Sequence, residues 1–344
     1  MAITLATRRL RLRYHHEFRI SRGGESETTT ILVELHDGPF AGYGEAIPFR
    51  YLGWDEESIE RALAEMAPRL AHADPSHVSH LSDELLAAWP DQRGAVAAVV
   101  GALWDLHGQR LGQPVWRLLG LDAGRCGLTD FTLGLADRAT LLAKADEAAQ
   151  YPILKIKCGG PADLDNVRAL AEHTGKRFYV DANGGWSVAQ AADLAGELAR
   201  LGVEMIEQPV PAGDGDAEAL AAVKAVSPLP IVADESLQRL SDVPRLVGAV
   251  DGVNIKLEKV GGLSAGLATL HAARACGLKV MLGGFGCSSV AVTTVAQLAP
   301  LADWKDLDGA LLIANDPFTG LTAPEGRIRL PDGPGLGVRP VAHD

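Results

Sequence analysis

Polar and apolar positions alternate along residues 8–20 and 28–36 (RRLRLRYHHEFRI and TTTILVELH), the period of a half-buried strand, with SRGGES between them as a turn. A third short strand is predicted at 42–45. From 56 to about 119 the spacing becomes helical, rich in Ala and Leu, and stops near Gly120. Strands followed by helices predict an α+β unit over residues 1–125. The Pro- and Gly-rich tail, 315–344, is expected to run back and complete it.

From about Cys126 the rhythm changes. Short apolar runs recur, each followed by a helical stretch: LTDFTLG, ILKIK, RFYVD, VEMIE, PIVAD, GVNIK and KVMLGG. The run ends from Lys157 to Gly283 are spaced by 24, 26, 27, 22 and 27 residues. A strand, a helix and two short loops take about that length, so 126–314 reads as a series of βα units with a parallel sheet. Seven or eight units in a row fit a closed barrel better than an open sheet. No GxGxxG follows the first strand, which removes the main argument for a dinucleotide fold. Gly202 and Gly277 stand where helices should stop before strands.

Strands of such a barrel are buried on both faces and should read as Val, Ile, Leu and Ala. Here they end in charge: Lys155 and Lys157, Asp181, Glu207, Asp234, Lys256. One such residue could be a solvated loop position; five consecutive strands are a pattern, and strand C-termini form the barrel mouth. Asp181, Glu207 and Asp234 converging there need a counter-charge. An all-oxygen set selects a hard ion, Mg²⁺ with Mn²⁺ as the alternative, over zinc. Lys157 lies one unit before the first of these carboxylates and Lys256 one unit after the last, so they fall on opposite sides of the ion. A lysine there, beside a cation and partly desolvated, is expected to have a depressed pKa and to serve as a base. Two bases on opposite faces of a carbon suit removal of a proton and return of another with inversion. The competing reading is that both lysines only salt-bridge the carboxylates.

Composition narrows the partners. The formal charge is −12 at pH 7 and the pI about 5.3, which argues against non-specific nucleic-acid binding. The four cysteines are scattered without a CxxC pair, so no disulfide framework is expected. With no apolar signal region at the start and no run long enough to span a bilayer, a cytoplasmic enzyme is expected.

KIK (155–157), DANGGW (181–186), EQP (207–209), ADES (233–236) and NIKLEKVGG (254–262) together resemble the enolase superfamily, muconate-lactonizing branch. The resemblance covers essentially the whole chain and implies a modified (β/α)7β TIM barrel with an N-terminal capping domain. It implies one Mg²⁺ per subunit on Asp181, Glu207 and Asp234, with Lys157 and Lys256 as the acid/base pair. Lys155 would be an auxiliary lysine that lowers the pKa of Lys157 and touches the substrate carboxylate. Asn183 and Glu235 would support the ligands. The shared chemistry is abstraction of a proton α to a carboxylate, through an enediolate.

WKDLDGALL (304–312) carries the subfamily. Asp306 and Asp308 alternate on the expected eighth strand, project to one face, and suit a cationic group; the pair resembles the DxD motif with which dipeptide epimerases bind a free α-ammonium. The bland alternative is a pair capping a surface loop. FRISRGG (18–24) resembles a capping loop of the same group, in which Arg22 could meet an acidic side chain. The stretch GGFGCSSVAV (283–292) lacks the glutamate many relatives carry, and Cys287 is expected only to line the pocket. The expected activity is epimerisation of a dipeptide at its C-terminal residue, with L-Ala-D/L-Glu favoured. Hydrophobic or cationic dipeptides remain open, since Asp55, Glu56 and Glu57 adjoin the cap loop near Arg50 and Trp54. The other readings are a lyase or cycloisomerase such as o-succinylbenzoate synthase, and a non-catalytic metal-binding protein. A homo-oligomer is expected.

Overall fold

The computed structural model describes residues 2–20 and 23–342. Its first unit is an antiparallel sheet of β1 (Thr4–Ile20), β2 (Gly23–Asp37) and β3 (Phe40–Ala46), in that order. Ile31, Val33 and Leu35 alternate on β2 and pack against two helices, Glu56–Leu70 and Arg93–Leu111, through Ile59, Leu63, Met66, Val96, Val99 and Leu103. Asp55 starts the first helix with a capping box to Ser58. Gly44 lets the second lie directly on β3, because a Cβ there would strike the Ala98 carbonyl. The opposite face, with Leu10, Leu12 and Leu32, joins the core of the second unit.

That unit has eight strands: β4 (Phe131–Leu133), β5 (Ile153–Lys157), β6 (Arg177–Asp181), β7 (Val203–Glu207), β8 (Ile231–Ala233), β9 (Gly252–Ile255), β10 (Lys279–Leu282) and β11 (Trp304–Lys305). Neighbours pair in parallel from β4 to β11. The ends of the sheet meet where the Asp130 amide donates to the Lys305 carbonyl at 3.2 Å, giving the expected (β/α)7β barrel. Gly202 and Gly277 are left-handed, with φ of 86° and 78°, and stop the helices before β7 and β10.

Period-two alternation divides each strand. Leu154, Ile156, Phe178, Val180, Ile206, Val253 and Ile255 point outward into the layer under the helices. Ile153, Tyr179, Met205, Val232, Met281 and Trp304 point inward and form an apolar plug. Two residues further along the same inward face come Lys155, Asp181, Glu207, Asp234 and Asp306. The charged ends therefore crown a hydrophobic floor.

The tail crosses the seam between the units. Phe318, Leu321, Ile328 and Val338 pack into the barrel core. The Leu336 amide donates to Asp105 Oδ1 at 2.8 Å, and the Tyr43 amide to its Oδ2 at 2.8 Å. Burial pushes the Asp105 carboxyl up to about 6. The described tail adds no strand to the cap sheet. Among the described residues no helix is long and apolar enough to cross a membrane.

Candidate active site

Lys155 and Lys157 lie on β5, with Ile156 turned outward between them, so both ammonium groups reach the mouth. Lys157 Nζ donates to Asp181 Oδ2 at 2.6 Å. Fully buried Lys155 spans three acids: Glu207 Oε2 at 2.7 Å, Asp181 Oδ2 at 3.2 Å and Asp306 Oδ2 at 2.6 Å. Across the mouth, Lys256 Nζ is 3.1 Å from Asp234 Oδ2, and Lys259 Nζ is 2.6 Å from Asp234 Oδ1. β5 and β9 are four strands apart in an eight-stranded ring, so Lys157 and Lys256 come from opposite walls.

The neighbouring carboxylates dominate the electrostatics of the two buried lysines. Burial works to lower Lys155, but the charges of Asp306, Glu207 and Asp181 outweigh it, and the ammonium is held well above its usual range. Lys256 is likewise raised, with burial outweighed by Asp234 and Glu207. The carboxylates divide. Despite burial, Lys157 and Lys155 bring Asp181 down to about 2, and Lys256 and Lys259 hold Asp234 below the carboxylate range. Glu207 is pushed up to about 7, by burial first and by the Asp181 charge second.

Asp181, Glu207 and Asp234 are a buried, all-oxygen donor set of the chemistry that suits a hard divalent cation. Asn254 Nδ2 donates to Glu207 Oε1 at 2.7 Å. The Asn183 amide donates to Asp181 Oδ1 at 2.9 Å, and its Nδ2 lies 3.3 Å from both Asp181 Oδ2 and Glu235 Oε1.

Asp306 and Asp308 lie just past β11, which is shorter than its sequence suggests, yet both are buried and converge on β4. Thr132 donates to Asp308 Oδ2 through its amide at 2.6 Å and to Asp306 Oδ1 through its hydroxyl at 3.4 Å. Buried Asp130 joins them, with one oxygen from each acid lying within 4.8 Å of the others. Lys155 outweighs burial and keeps Asp306 low, whereas burial and the Asp306 charge raise Asp308 to about 7 and Asp130 well above its usual range. This pocket of acid already holds one ammonium, that of Lys155.

A cavity of about 790 Å³ opens over these groups, walled by Tyr14, Phe18, Phe49 and Arg50 from the cap and by Phe285 from the loop after β10. Arg22 lies outside the described residues. Arg50 faces Glu56 at 4.0 Å. Of the three neighbouring acids only Glu56 lines the cavity; Asp55 caps its helix and Glu57 pairs with Arg9. Trp54 is a cap core residue, its indole donating to the Asp91 carbonyl at 2.7 Å. Cys287 is turned into the core beside Gly309, and Phe285 occupies the wall where a small residue was expected.

Gln208, unassigned by the sequence, ties two strand ends together. Its Oε1 accepts the amides of Asp234 at 2.9 Å and Ser236 at 3.2 Å, and its Nε2 donates to the Val210 carbonyl at 2.9 Å. Gln208 and Asn183 adopt left-handed φ of 34° and 45°, a strain of about 1 kcal/mol that clusters at functional sites. The signal for both was their place directly after or two beyond a charged strand end.

A charged mouth on a parallel barrel, roofed by an α+β cap, defines an enolase-type architecture. Residues 137–343 match the family model described as enolase C-terminal domain-like, and 2–120 match the mandelate racemase/muconate lactonizing enzyme N-terminal domain. The chain belongs to the mandelate racemase/muconate lactonizing enzyme family. An L-Ala-D/L-Glu epimerase from Bacteroides thetaiotaomicron is 37% identical over 332 residues, 96% of this chain and 86% of that protein. The structure of a dipeptide epimerase from Cytophaga hutchinsonii, complexed with Mg and D-Ala-L-Val, is similar at a TM-score of 0.92 and 27% identity, covering 99% of this chain and 96% of that one. Another from Methylococcus capsulatus, complexed with Mg and L-Arg-D-Lys, is similar at 0.91 and 30% identity, covering 98% and 99%.

Proposed function

We propose that this protein is an isomerase that epimerises dipeptides at the α-carbon of the C-terminal residue. The observation that carries the reading is the placement of Lys157 and Lys256 four strands apart around one mouth. A carbon held between them can lose a proton to one Nζ and regain one from the other, which inverts it. Asp181, Glu207 and Asp234 would hold one Mg²⁺, with Mn²⁺ as the alternative. Such an ion would supply positive charge to the substrate's carboxylate oxygens while the α-proton is removed. Lys155 neutralises Glu207 and Asp306 from within. Asp306 and Asp308 would receive the substrate's α-ammonium.

L-Ala-D/L-Glu is the favoured substrate, supported by the Bacteroides thetaiotaomicron relative and by the Arg50 cation on the cavity wall. Glu25 and Glu27 also line the cavity and favour a cationic dipeptide as the second reading. Both are tested by incubating a dipeptide library with enzyme and Mg²⁺ in heavy water and following α-proton signals by NMR. The account expects loss of the C-terminal α-proton with epimer formation, fastest for L-Ala-L-Glu or L-Ala-D-Glu. Exchange with no dipeptide sinks the epimerase reading, and fastest exchange with a lysine- or arginine-containing dipeptide replaces the substrate.

A further inference from the structure

Three aromatic rings connect the cap to Lys256. Tyr51 stands edge-on to Phe49 at 5.9 Å, Phe49 tilts against Phe285 at 4.6 Å, and Lys256 Nζ lies 4.4 Å from the Phe285 ring centroid. No such contact exists for Lys157 among the described residues; its ammonium is placed by the Asp181 carboxylate. Lys256 is paired in the same way with Asp234, at 3.1 Å, so the two lysines differ in the aromatic face that Lys256 meets in addition.

The Phe285 loop is closely packed at Gly283 and Gly286. A Cβ at Gly283 would run into Asn254, and one at Gly286 into Tyr14. Behind it, the Ser288 amide and hydroxyl donate to Glu45 at 3.0 and 2.5 Å, and the Ala291 amide donates to the same carboxylate at 3.1 Å. Glu45 belongs to cap strand β3, so the cap meets the loop twice, at the Phe285 ring through Phe49 and just beyond it through Glu45. An aromatic face attracts an ammonium without taking a directed hydrogen bond from it. Beside the Asp234 carboxylate it can hold Lys256 Nζ in place at the cavity without occupying a further N–H.

Taking Lys256 as one of the two acid/base groups, we propose that Phe285, backed by Phe49 of the cap, is a positioning residue for Lys256 alone. One of the two proton transfers therefore depends on the aromatic wall and the other does not.

The test measures α-proton exchange in heavy water, with Mg²⁺, from each epimer of the dipeptide separately. Lys256→Ala first identifies the epimer that presents its proton to Lys256, as the one whose exchange is lost. Phe285→Leu is expected to lower kcat for that epimer about tenfold relative to the other, while KM changes by the same factor for both. Tenfold corresponds to about 1.4 kcal/mol, within the range of a desolvated cation–π contact. Phe49→Leu should move the ratio the same way by less, and Phe285→Tyr should restore it. If Phe285→Leu does not fold, the Phe49→Leu ratio decides. Variants that slow both epimers equally, or alter only KM, overturn the inference and leave the epimerase reading standing. A wild type that exchanges no dipeptide overturns both.

Discussion

Asn254 lies two residues before Lys256 on β9, so both side chains face the barrel interior, and its amide holds one oxygen of Glu207 at 2.7 Å. Supports of this kind orient a ligand without touching the ion. Asn254→Ala is therefore expected to weaken Mg²⁺ binding about tenfold to a hundredfold by calorimetry, and Asp181→Asn to abolish it; unchanged affinity in both would remove the metal from these carboxylates. Asp306 and Asp308 separate the epimerase from a lyase of the same family. If they receive an α-ammonium, replacing both with Asn should lower kcat/KM on dipeptides at least about a hundredfold, or about 2.7 kcal/mol. A lyase acting on a substrate without that ammonium should lose little.

At the scale of elements, close approach governs the cap. Gly44 brings β3 against the helix Arg93–Leu111, and a methyl group there meets the Ala98 carbonyl. Gly44→Ala should destabilise the protein by about 2 kcal/mol, read as a lower melting temperature; a neutral effect would mean that the helix stands off the sheet. Most elements were legible because their periods are clean. β5 to β8 each put an apolar residue and, two positions on, a charged one on the same inward face, and Gly202 and Gly277 marked helix ends. β11 was not legible as such: WKDLD alternates like a longer strand, but only Trp304 and Lys305 pair with β10. Asp306 is drawn to Lys155 and both acids to Thr132. Partnership is where the sequence ran out. It could place Lys155 at the mouth, but not predict that three acids would hold its ammonium, nor that Phe285 rather than Cys287 would form the wall. Such choices depend on side-chain packing between strands far apart in the chain.

For the whole molecule, the seam between cap, barrel and tail is fastened in part by Asp105, which accepts amides from Tyr43 and Leu336. Its carboxyl is raised from 3.8 to about 6 by burial, so the folded state holds the proton more tightly than the unfolded one. The stability this contributes is present below about pH 4 and is lost as pH rises through about 6, by up to about 3 kcal/mol. Urea unfolding of the wild type and Asp105→Asn at several pH values should show the wild type losing ground to the variant across that window; a constant difference would contradict it. The central claim concerns the mouth that this seam closes over: two lysines on opposite walls, each serving one face of a single carbon. Its most direct test is α-proton exchange in heavy water by Lys157→Ala and Lys256→Ala, each given the two epimers separately. The account predicts that each variant loses net epimerisation and that exchange survives from one epimer only, the opposite one in the two variants. Exchange from the same epimer in both, or from both epimers in either, would contradict it.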